Sequence, residues 1–312
     1  MIYTVTLNPA LDKTVEIRDF AVDSVNRITA MRTDPGGKGI NVSKVIQKLE
    51  GKSIAAGILG GSTGEWILAA LKEMRLETCF TFAEGETRTN LKVVDPAGHT
   101  NTDINEPGLT VTEEVLENLL RGLLERVNEG DIVVLSGSLP KGAPKDTYGT
   151  WVKAFRKAGT KVILDADGEL LAEGLKASPY LVKPNNHELS RLVGRTLKTR
   201  EELEEAARKL MAEYSIEKVV ISLGGEGALY VTGQATVYAE GLKVPVGSTV
   251  GAGDSVVAAL AVAEERAMDL EDTVRLSTAT GAANVMCSGT QAAEYDVIKE
   301  LIPKVVFHFY RL

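Results

Sequence analysis

The sequence predicts an α/β protein built on a mostly parallel sheet with helices on both faces. Short apolar runs of strand length alternate with longer segments of helical spacing along most of the 312 residues. Polar and glycine-rich strings follow several of the apolar runs, where ligands collect at the carboxyl ends of parallel strands. The composition, with 44% hydrophobic and 25% charged residues, is that of an ordinary globular chain with room for one large domain or two smaller ones.

The strand predictions rest on runs rich in Val, Ile and Leu that are too short for helices. The run Ile2-Tyr3-Thr4-Val5-Thr6-Leu7 opens the chain, and it is a strand rather than a secretory leader because no basic segment precedes it. Continuous apolar runs are typical of strands that are buried on both faces of a parallel sheet. The predicted strands cover residues 2–7, 54–59, 132–135, 162–164, 180–182 and 219–221.

Helices are predicted where apolar residues recur every three to four positions between these strands. Each segment of this kind is long enough to connect two parallel strands of one sheet. The predicted helices cover residues 39–49, 65–74, 111–127, 145–157, 186–193, 200–214 and 255–268.

Two segments, residues 14–32 and 87–104, break this alternation with a period-two pattern. The second folds about Asp95-Pro96-Ala97-Gly98, a strong turn signal, and neither has a helix-length partner nearby. The pattern fits two hairpins that project as a small β-sheet lid, and it fits an extension at the edge of the main sheet equally well. A lid that excludes water is useful to an enzyme whose reactive group must not be lost to solvent.

Charge and composition exclude several classes of function. The net charge of −8 and the lack of a Lys/Arg cluster predict no nucleic-acid or anionic-membrane partner, and no apolar run approaches the roughly 20 residues of a membrane span. Cys79 and Cys287 form no CxxC pair, which fits a reducing cytoplasm. His99, His187 and His308 lack metal-ligand spacing, so Ser-His-Asp and histidine-metal chemistry are disfavoured.

The most informative string is Ser248-Thr249-Val250-Gly251-Ala252-Gly253-Asp254, which leads into an apolar helix at residues 256–261. A glycine turn at a helix N-terminus exposes N–H groups that have no intrahelical acceptor, and these can hold the charge of a transferring phosphoryl group. Asp254 lies at the same turn and could take a proton from an attacking hydroxyl. The string fits a plain turn with an N-cap as well.

Two strings near the N-terminus suit a polar ligand. Gly36-Gly37-Lys38-Gly39-Ile40-Asn41 joins the first hairpin to a helix; it is not a Walker A loop, but it offers bare backbone, a cation and an amide. Asn8-Pro9-Ala10-Leu11-Asp12 stands where a dinucleotide fingerprint would follow the first strand, which disfavours a Rossmann dehydrogenase. Asp12 could accept hydrogen bonds from sugar hydroxyls or cap a turn.

Three further strings follow predicted strands: Ser136-Gly137-Ser138-Leu139-Pro140, Lys183-Pro184-Asn185-Asn186-His187-Glu188 and Ser222-Leu223-Gly224-Gly225-Glu226-Gly227. The spacing of Asn185 and Glu188 fits a capping box, and it also fits a pair that orients Mg²⁺ or its waters. The glycines of the third string fit a hairpin turn or close approach to a nucleotide.

Together with Thr87-Arg88-Thr89-Asn90, these strings resemble the ribokinase-like (PfkB) sugar kinases in order and spacing over residues 1 to about 290. The resemblance implies a three-layer α/β/α sandwich, with residues 1–312 as one domain and the lid inserted from about residues 14–32 and 87–104. It also implies ATP, Mg²⁺ and transfer of the γ-phosphoryl group to a sugar hydroxyl. The strings at residues 102–108 and 248–254 lean toward fructose 1-phosphate as substrate, with tagatose 6-phosphate as the alternative.

The same resemblance implies roles for individual residues. Asp254 would be the base, and the backbone of Gly251, Ala252 and Gly253 the anion hole. The sugar hydroxyls would bind Asp12, Gly37, Asn41 and Ser138, and the phosphate already on the substrate would bind Lys38, Arg88 and Arg27. The nucleotide would contact Lys183, Ser222, Gly224, Gly227 and Gly253, while Asn185 and Glu188 would help place Mg²⁺ through water.

The last expectation concerns the oligomeric state of the protein. Two hairpins make too small a sheet to bury both faces, so a lid of this kind needs a partner. The resemblance implies a homodimer through the lid, with Arg27 reaching the neighbour's substrate phosphate. A non-catalytic sensor of sugar phosphate on the same fold is the alternative from another class, and the retained Asp254 beside an intact glycine turn argues against it.

Overall fold

The computed structural model describes residues 1–311, the side chain of Arg311 excepted, and arranges fourteen strands in two separate sheets. The strands are β1 Ile2–Thr6, β2 Ala10–Glu16, β3 Ala30–Gly36, β4 Ser53–Leu59, β5 Glu77–Phe82, β6 Arg88–Asp95, β7 Thr100–Asn105, β8 Ile132–Ser136, β9 Lys161–Asp165, β10 Leu181–Val182, β11 Lys218–Ser222, β12 Gly227–Thr232, β13 Thr236–Glu240 and β14 Phe307–Arg311. The helices are α1 Lys38–Lys48, α2 Gly61–Glu73, α3 Glu113–Leu124, α4 Thr147–Lys157, α5 Gly168–Leu175, α6 Asn186–Leu192, α7 Arg200–Tyr214, α8 Ala252–Glu265, α9 Leu270–Val285 and α10 Tyr295–Leu301.

The large sheet has ten strands in the order β14-β13-β12-β11-β10-β9-β8-β1-β4-β5. Every pairing from β5 to β11 is parallel, and β11 to β14 pair antiparallel. The carboxyl ends of β1 and β8 to β11 therefore meet at one edge, which is where the sequence predicts the ligand.

Alternate residues of each parallel strand serve two separate cores. On β8, Val133 and Leu135 pack with one cluster, while Ile132 and Val134 pack with another on the opposite face. Helices α3 to α7 contribute to the first cluster, and α1, α8, α9 and α10 to the second. This arrangement is the predicted three-layer α/β/α sandwich, and the expected fold class is confirmed.

The small sheet has four strands in the order β3-β2-β6-β7. Two antiparallel hairpins, β2–β3 and β6–β7, are joined by parallel pairing of β2 with β6. The two period-two segments thus form one sheet of their own rather than an extension of the main sheet. The Asp95 carboxylate fixes the second turn by accepting from the Ala97 N–H at 3.0 Å.

Helices and strands absent from the sequence-based prediction are β5, β12 to β14, α5, α9 and α10. Among the helices of residues 1–311, none is both long and apolar enough to cross a bilayer.

Candidate active site

A cavity of about 630 Å³ lies between the carboxyl edge of the large sheet and the small sheet. The motifs that follow β1, β8, β10 and β11 all reach it, as do β2, β6 and the start of α8. The predicted site residues that line it are Asp12, Gly37, Lys38, Asn41, Arg88, Ser138, Lys183, Asn185, Glu188, Ser222, Gly251, Gly253 and Asp254.

The floor of the cavity is the N-terminus of α8. Gly251 adopts a left-handed conformation with φ of 80°, which turns the chain into the helix at Ala252. The first hydrogen bond of full helical spacing is donated by the Ser255 N–H to the Gly251 carbonyl at 2.9 Å. The Ala252 N–H donates to the Thr249 carbonyl at 3.4 Å, whereas the N–H groups of Gly253 and Asp254 have no acceptor among the described residues, so this turn is suited to an anion.

Asp254 lies in the first turn of α8 and is 7% exposed. Its Oδ2 accepts a hydrogen bond of 2.9 Å from Nδ2 of Asn41 on α1. Burial and the nearby Asp165 carboxylate raise the pKa of Asp254, and Lys38, the Asn41 hydrogen bond and Lys183 oppose that shift. A buried carboxylate of raised pKa at an anion-binding turn is a candidate general base.

Asp165 holds two lysines at the centre of the site. The Lys38 ammonium lies 3.1 Å from Oδ2 of Asp165, and the Lys183 ammonium lies 3.3 Å from Oδ1. Burial alone would raise the pKa of Asp165, but the two ammonium groups outweigh it and hold this pKa below its ordinary value. The same carboxylate raises the pKa of Lys38 against the effect of burial. Lys38 is therefore held as a cation, and the Lys183 ammonium shares the same carboxylate.

Gly253 is next to one of these cations. A Cβ built on Gly253 would lie 3.3 Å from Nζ of Lys183, which is tighter than an ordinary van der Waals contact. The glycine therefore keeps the gap between the helix turn and the ammonium open. Negative charge in this gap would face the helix N-terminus on one side and Lys183 on the other.

On the small sheet, Asp12 and Asn90 are paired across β2 and β6. Nδ2 of Asn90 donates to Oδ1 of Asp12 at 3.1 Å, while Oδ1 of Asn90 is buried without a hydrogen-bond partner among the described residues. Burial raises the pKa of Asp12, and Asn90, Lys44 and Arg88 act against it. These side chains offer both acceptors and a donor, as recognition of sugar hydroxyls requires.

Arg88 enters the cavity from the start of β6. Its guanidinium donates to the Asn8 carbonyl at 2.9 Å and the Glu106 carbonyl at 3.3 Å, while its Nε is buried with no partner in residues 1–311. Nδ2 of Asn8 in turn donates to Oγ of Ser138 at 3.3 Å. This hydrogen bond links the loop after β1 to the loop after β8. Arg88 is thus a cation that lines the cavity and is held in place by two backbone carbonyls.

Asn185 and Glu188 form the capping box of α6. The Asn185 N–H donates to Oε2 of Glu188 at 2.8 Å, and the Glu188 N–H donates to Oδ1 of Asn185 at 2.8 Å. Both residues also line the cavity. The capping box that the structure shows is therefore compatible with a second role, in which the pair orients Mg²⁺ or its waters. No cluster of three His, Cys, Asp or Glu side chains that could cage a metal occurs in residues 1–311. Glu188 fits Mg²⁺ that is held mainly by phosphates and water.

Four predicted residues do not line the cavity. Arg27 is exposed in the loop between β2 and β3. Gly224 and Gly227 bound the turn between β11 and β12, where Gly227 has φ of 106° and packs against the Ala239 carbonyl. Ala252 contributes only as the first helical residue of α8.

The sequence analysis missed Asp165 and assigned no role to Asn90. Asp165 ends β9, so an acidic residue directly after a buried apolar run was the available signal. Asn90 belongs to the Thr87-Arg88-Thr89-Asn90 string, and the period-two pattern places it on the same face as Arg88.

Comparison with a family model and with curated relatives places the chain in one family. The model of the pfkB family carbohydrate kinases matches residues 5–296. The chain is 39% identical to the 1-phosphofructokinase of Bacillus subtilis over 98% of both chains, and 35% identical to that of Escherichia coli strain K12 over 97% of this chain and 96% of the other.

Solved structures support the same family, through a phosphofructokinase of a different name. Phosphofructokinase-2 from Escherichia coli in complex with potassium superposes with a TM-score of 0.93 at 34% identity, covering 97% of this chain and 98% of the other. The same enzyme in complex with fructose-6-phosphate gives a TM-score of 0.92 at 32% identity, with the same coverage. The family that the sequence motifs resemble is confirmed: the chain belongs to the pfkB family of carbohydrate kinases.

Proposed function

We propose that the protein transfers the γ-phosphoryl group of ATP to O6 of fructose 1-phosphate, giving fructose 1,6-bisphosphate. The observation that carries the proposal is Asp254, a buried carboxylate in the first turn of α8, facing the same cavity as Arg88 and Asp12. A base, an anion-binding turn and a remote cation are the parts that phosphoryl transfer to a phosphorylated sugar requires. The curated relatives named above support the choice of substrate.

In the proposed reaction Asp254 accepts the proton of the attacking hydroxyl. Asn41 holds Oδ2 of this carboxylate, which leaves Oδ1 to receive the proton. The first-turn N–H groups of α8 stabilise the negative charge that spreads over the transferring group. Asp12 and Asn90 orient the sugar, and Arg88 binds its existing phosphate.

Lys183 and Lys38 supply positive charge beside this turn. Because Asp165 holds both ammonium groups, the phosphates of ATP would compete with this carboxylate for Lys183, and the phosphate of the sugar would compete with it for Lys38. Mg²⁺ would be placed by Glu188 and Asn185 through water, and it would neutralise charge on the β- and γ-phosphates. Such electrostatic stabilisation needs no reactive cysteine or histidine.

The test is a coupled ADP-release assay with fructose 1-phosphate, fructose 6-phosphate, tagatose 6-phosphate and unphosphorylated sugars. We expect the highest kcat/KM with fructose 1-phosphate and weak turnover of sugars that lack a phosphate for Arg88. A higher kcat/KM with tagatose 6-phosphate would reassign the acceptor. Binding of sugar phosphate without ADP release from any of them would replace the kinase with a sensor.

We further propose that the protein is a cytoplasmic homodimer that pairs through the small sheet. Five large apolar side chains are exposed on this sheet and its connecting loop: Val22, Val25, Ile28, Met31 and Ile104. An apolar surface of this kind favours burial against a second copy. Arg27 lies in the same loop, within the surface that would meet the partner.

Mixing two impaired chains tests the dimer. Asp254→Asn and Arg27→Ala homodimers should each be weak, whereas their mixed dimer should recover one site with both residues intact. A monomer at assay concentration, or no recovery after verified subunit exchange, would leave each site complete within one chain.

A further inference from the structure

Lys44 is a buried cation to which the proposed reaction assigns no role. It lies in the middle of α1 and is 9% exposed. Its ammonium donates a hydrogen bond of 3.0 Å to the Pro35 carbonyl at the end of β3. The charged groups around it are Asp34 and Arg32 from β3, Asp12 from β2 and Asp254 from α8.

Keeping an ammonium in this place is costly. Burial lowers the pKa of Lys44 although three carboxylates act to raise it. An apolar side chain of similar length would fill the space without this penalty. The position of the charge therefore has to be explained by what it does for its neighbours.

Those neighbours are the two ends of the reaction site. Asn41 and Lys44 are three positions apart on α1 and so lie on one face of the helix. Asn41 donates to the Asp254 carboxylate, whereas Lys44 donates to Pro35, next to the loop that begins with Gly36 and Gly37. One face of α1 thus contacts both Asp254 and the junction between the small sheet and α1, which is the segment from Pro35 to Gly37.

The junction in turn supports Asp12. Asp12 and Asp34 are paired across β2 and β3, as are Leu11 and Pro35. A Cβ on Gly36 would overlap the Asp12 carboxylate, so the backbone of Gly36 lies directly against this side chain. A movement of the Pro35 carbonyl would therefore move the backbone of Gly36, against which the Asp12 carboxylate packs.

We propose that Lys44 is a positioning residue for sugar binding, which anchors the small sheet to α1 through Pro35 and holds Asp12 in its orientation toward the sugar hydroxyls. This inference rests on the proposed function, since it assigns Asp12 to the sugar.

The charges around Asp12 support this role. Burial raises the pKa of Asp12, as does Asp34 from β3, while Asn90 and Arg88 from β6 and Lys44 from α1 lower it. Loss of Lys44 removes one of three groups that favour the carboxylate. The pKa of Asp12 then rises further, and ionisation is lost at a higher pH as the solution is made more acidic.

The experiment compares Lys44→Met with Lys44→Arg, which keeps a cationic donor, and Lys44→Gln, which keeps a donor without charge. Lys48→Met is the matched control, because Lys48 is one turn along the same helix but half-exposed, and pairs with Glu294 outside the cavity. The readouts are KM for fructose 1-phosphate and for ATP, the pH profile of kcat/KM, and binding of fructose 1-phosphate by calorimetry without nucleotide.

For Lys44→Met we expect KM for fructose 1-phosphate and its dissociation constant to rise about tenfold or more, the effect of losing one charge-assisted contact. KM for ATP should change less than about twofold, and the acid limb of kcat/KM should move to higher pH. Lys44→Arg should recover most of the affinity and the original acid limb. Lys44→Gln should recover affinity only in part, with the acid limb still displaced.

A purely structural role predicts a different result. If Lys44→Met lowers the melting temperature but leaves the sugar-phosphate affinity and the acid limb as in Lys48→Met, the proposal is wrong. Should Lys44→Met fail to fold, equal affinities and acid limbs in Lys44→Gln and Lys44→Arg would exclude a role for the charge. Absence of fructose 1-phosphate turnover in the wild-type protein would overturn the proposed function instead, whatever the variants do.

Discussion

Replacing Asp165 with Asn keeps the size of the side chain but removes the charge that two lysines share. The Lys183 side chain is 7% exposed, so it is left as a buried cation without its counter-ion. Removing one partner of a buried pair costs about 3–5 kcal/mol. The Lys38 side chain is 40% exposed, so water can solvate its ammonium. Loss of the ion pair between Lys38 and Asp165 therefore adds less than about 1 kcal/mol. We therefore expect the free energy of unfolding of Asp165→Asn to fall by about 3–5 kcal/mol.

At about 2 °C per kcal/mol for a chain of this length, the melting temperature should fall by about 6–10 °C. Calorimetry or urea unfolding measures the loss. Asp167→Asn is the matched control, because Asp167 is two residues along the chain and exposed, with no side-chain hydrogen bond to the helix that it precedes. A double-mutant cycle with Lys183→Met isolates the pairwise coupling.

The pH dependence of the loss has a defined sign. The pKa of Asp165 in the folded protein lies below its ordinary 3.8. The Asp165 carboxylate therefore stabilises the folded protein fully at any pH above 3.8. This stabilisation is lost as the pH falls through the pKa that Asp165 has in the folded protein, which is lower than 3.8. The difference between wild type and Asp165→Asn should be constant near neutrality and should narrow only in strong acid. Equal melting temperatures for Asp165→Asn and Asp167→Asn at neutral pH would refute the central role of this carboxylate.

Three further predictions concern the reaction. Asp254→Asn should fold and bind both substrates but lower kcat by about 10²- to 10⁴-fold, and near-normal turnover would return Asp254 to the role of a helix cap. Arg88→Ala should raise KM for the sugar phosphate about 10- to 150-fold, from about 1.5–3 kcal/mol per charge-assisted contact, while KM for ATP stays nearly constant; the reverse pattern would place Arg88 at the nucleotide. Asn41→Ala removes a hydrogen bond that lowers the pKa of Asp254, so the acid limb of kcat should move to higher pH, and an unchanged profile would argue against Asp254 as the base.

The sequence was sufficient for the elements that position the site. Buried strands such as Ile2–Thr6 and Ile132–Ser136 have continuous apolar runs, and the polar strings after them marked the carboxyl edge. Helix α9 was missed because its buried face is made mostly of small and hydroxyl residues, with only Val274 and Leu276 as large aliphatic side chains. Ser277 and Thr280 satisfy their hydroxyls on carbonyls one turn earlier, so they are buried without an apolar pattern in the sequence.

The contacts inside the site were less predictable than its location. Lys38 was expected at the sugar phosphate, and this role stays a prediction, but in the structure its ammonium lies on Asp165. Such a pairing depends on the order of β1, β8 and β9 in the sheet, which local spacing does not reveal. The role proposed for Arg27 needs a second chain, so no pattern within one chain can establish it.

Helix α1 explains why so short a string of sequence carries so much of the site. Its residues from Gly39 to Ile46 are buried, while the side chain of Lys38 at its first position is 40% exposed, and Oδ1 of Asn41 is buried without a hydrogen-bond partner among the described residues. Lys38 lies on Asp165, Asn41 on Asp254 and Lys44 on Pro35, in successive steps along the helix. Because β3 ends at Gly36 and α1 begins at Lys38, this helix connects the small sheet to all three contacts. In the proposed reaction, sugar binding against that sheet would therefore be coupled to the placement of Asp254 and of the two lysines on Asp165.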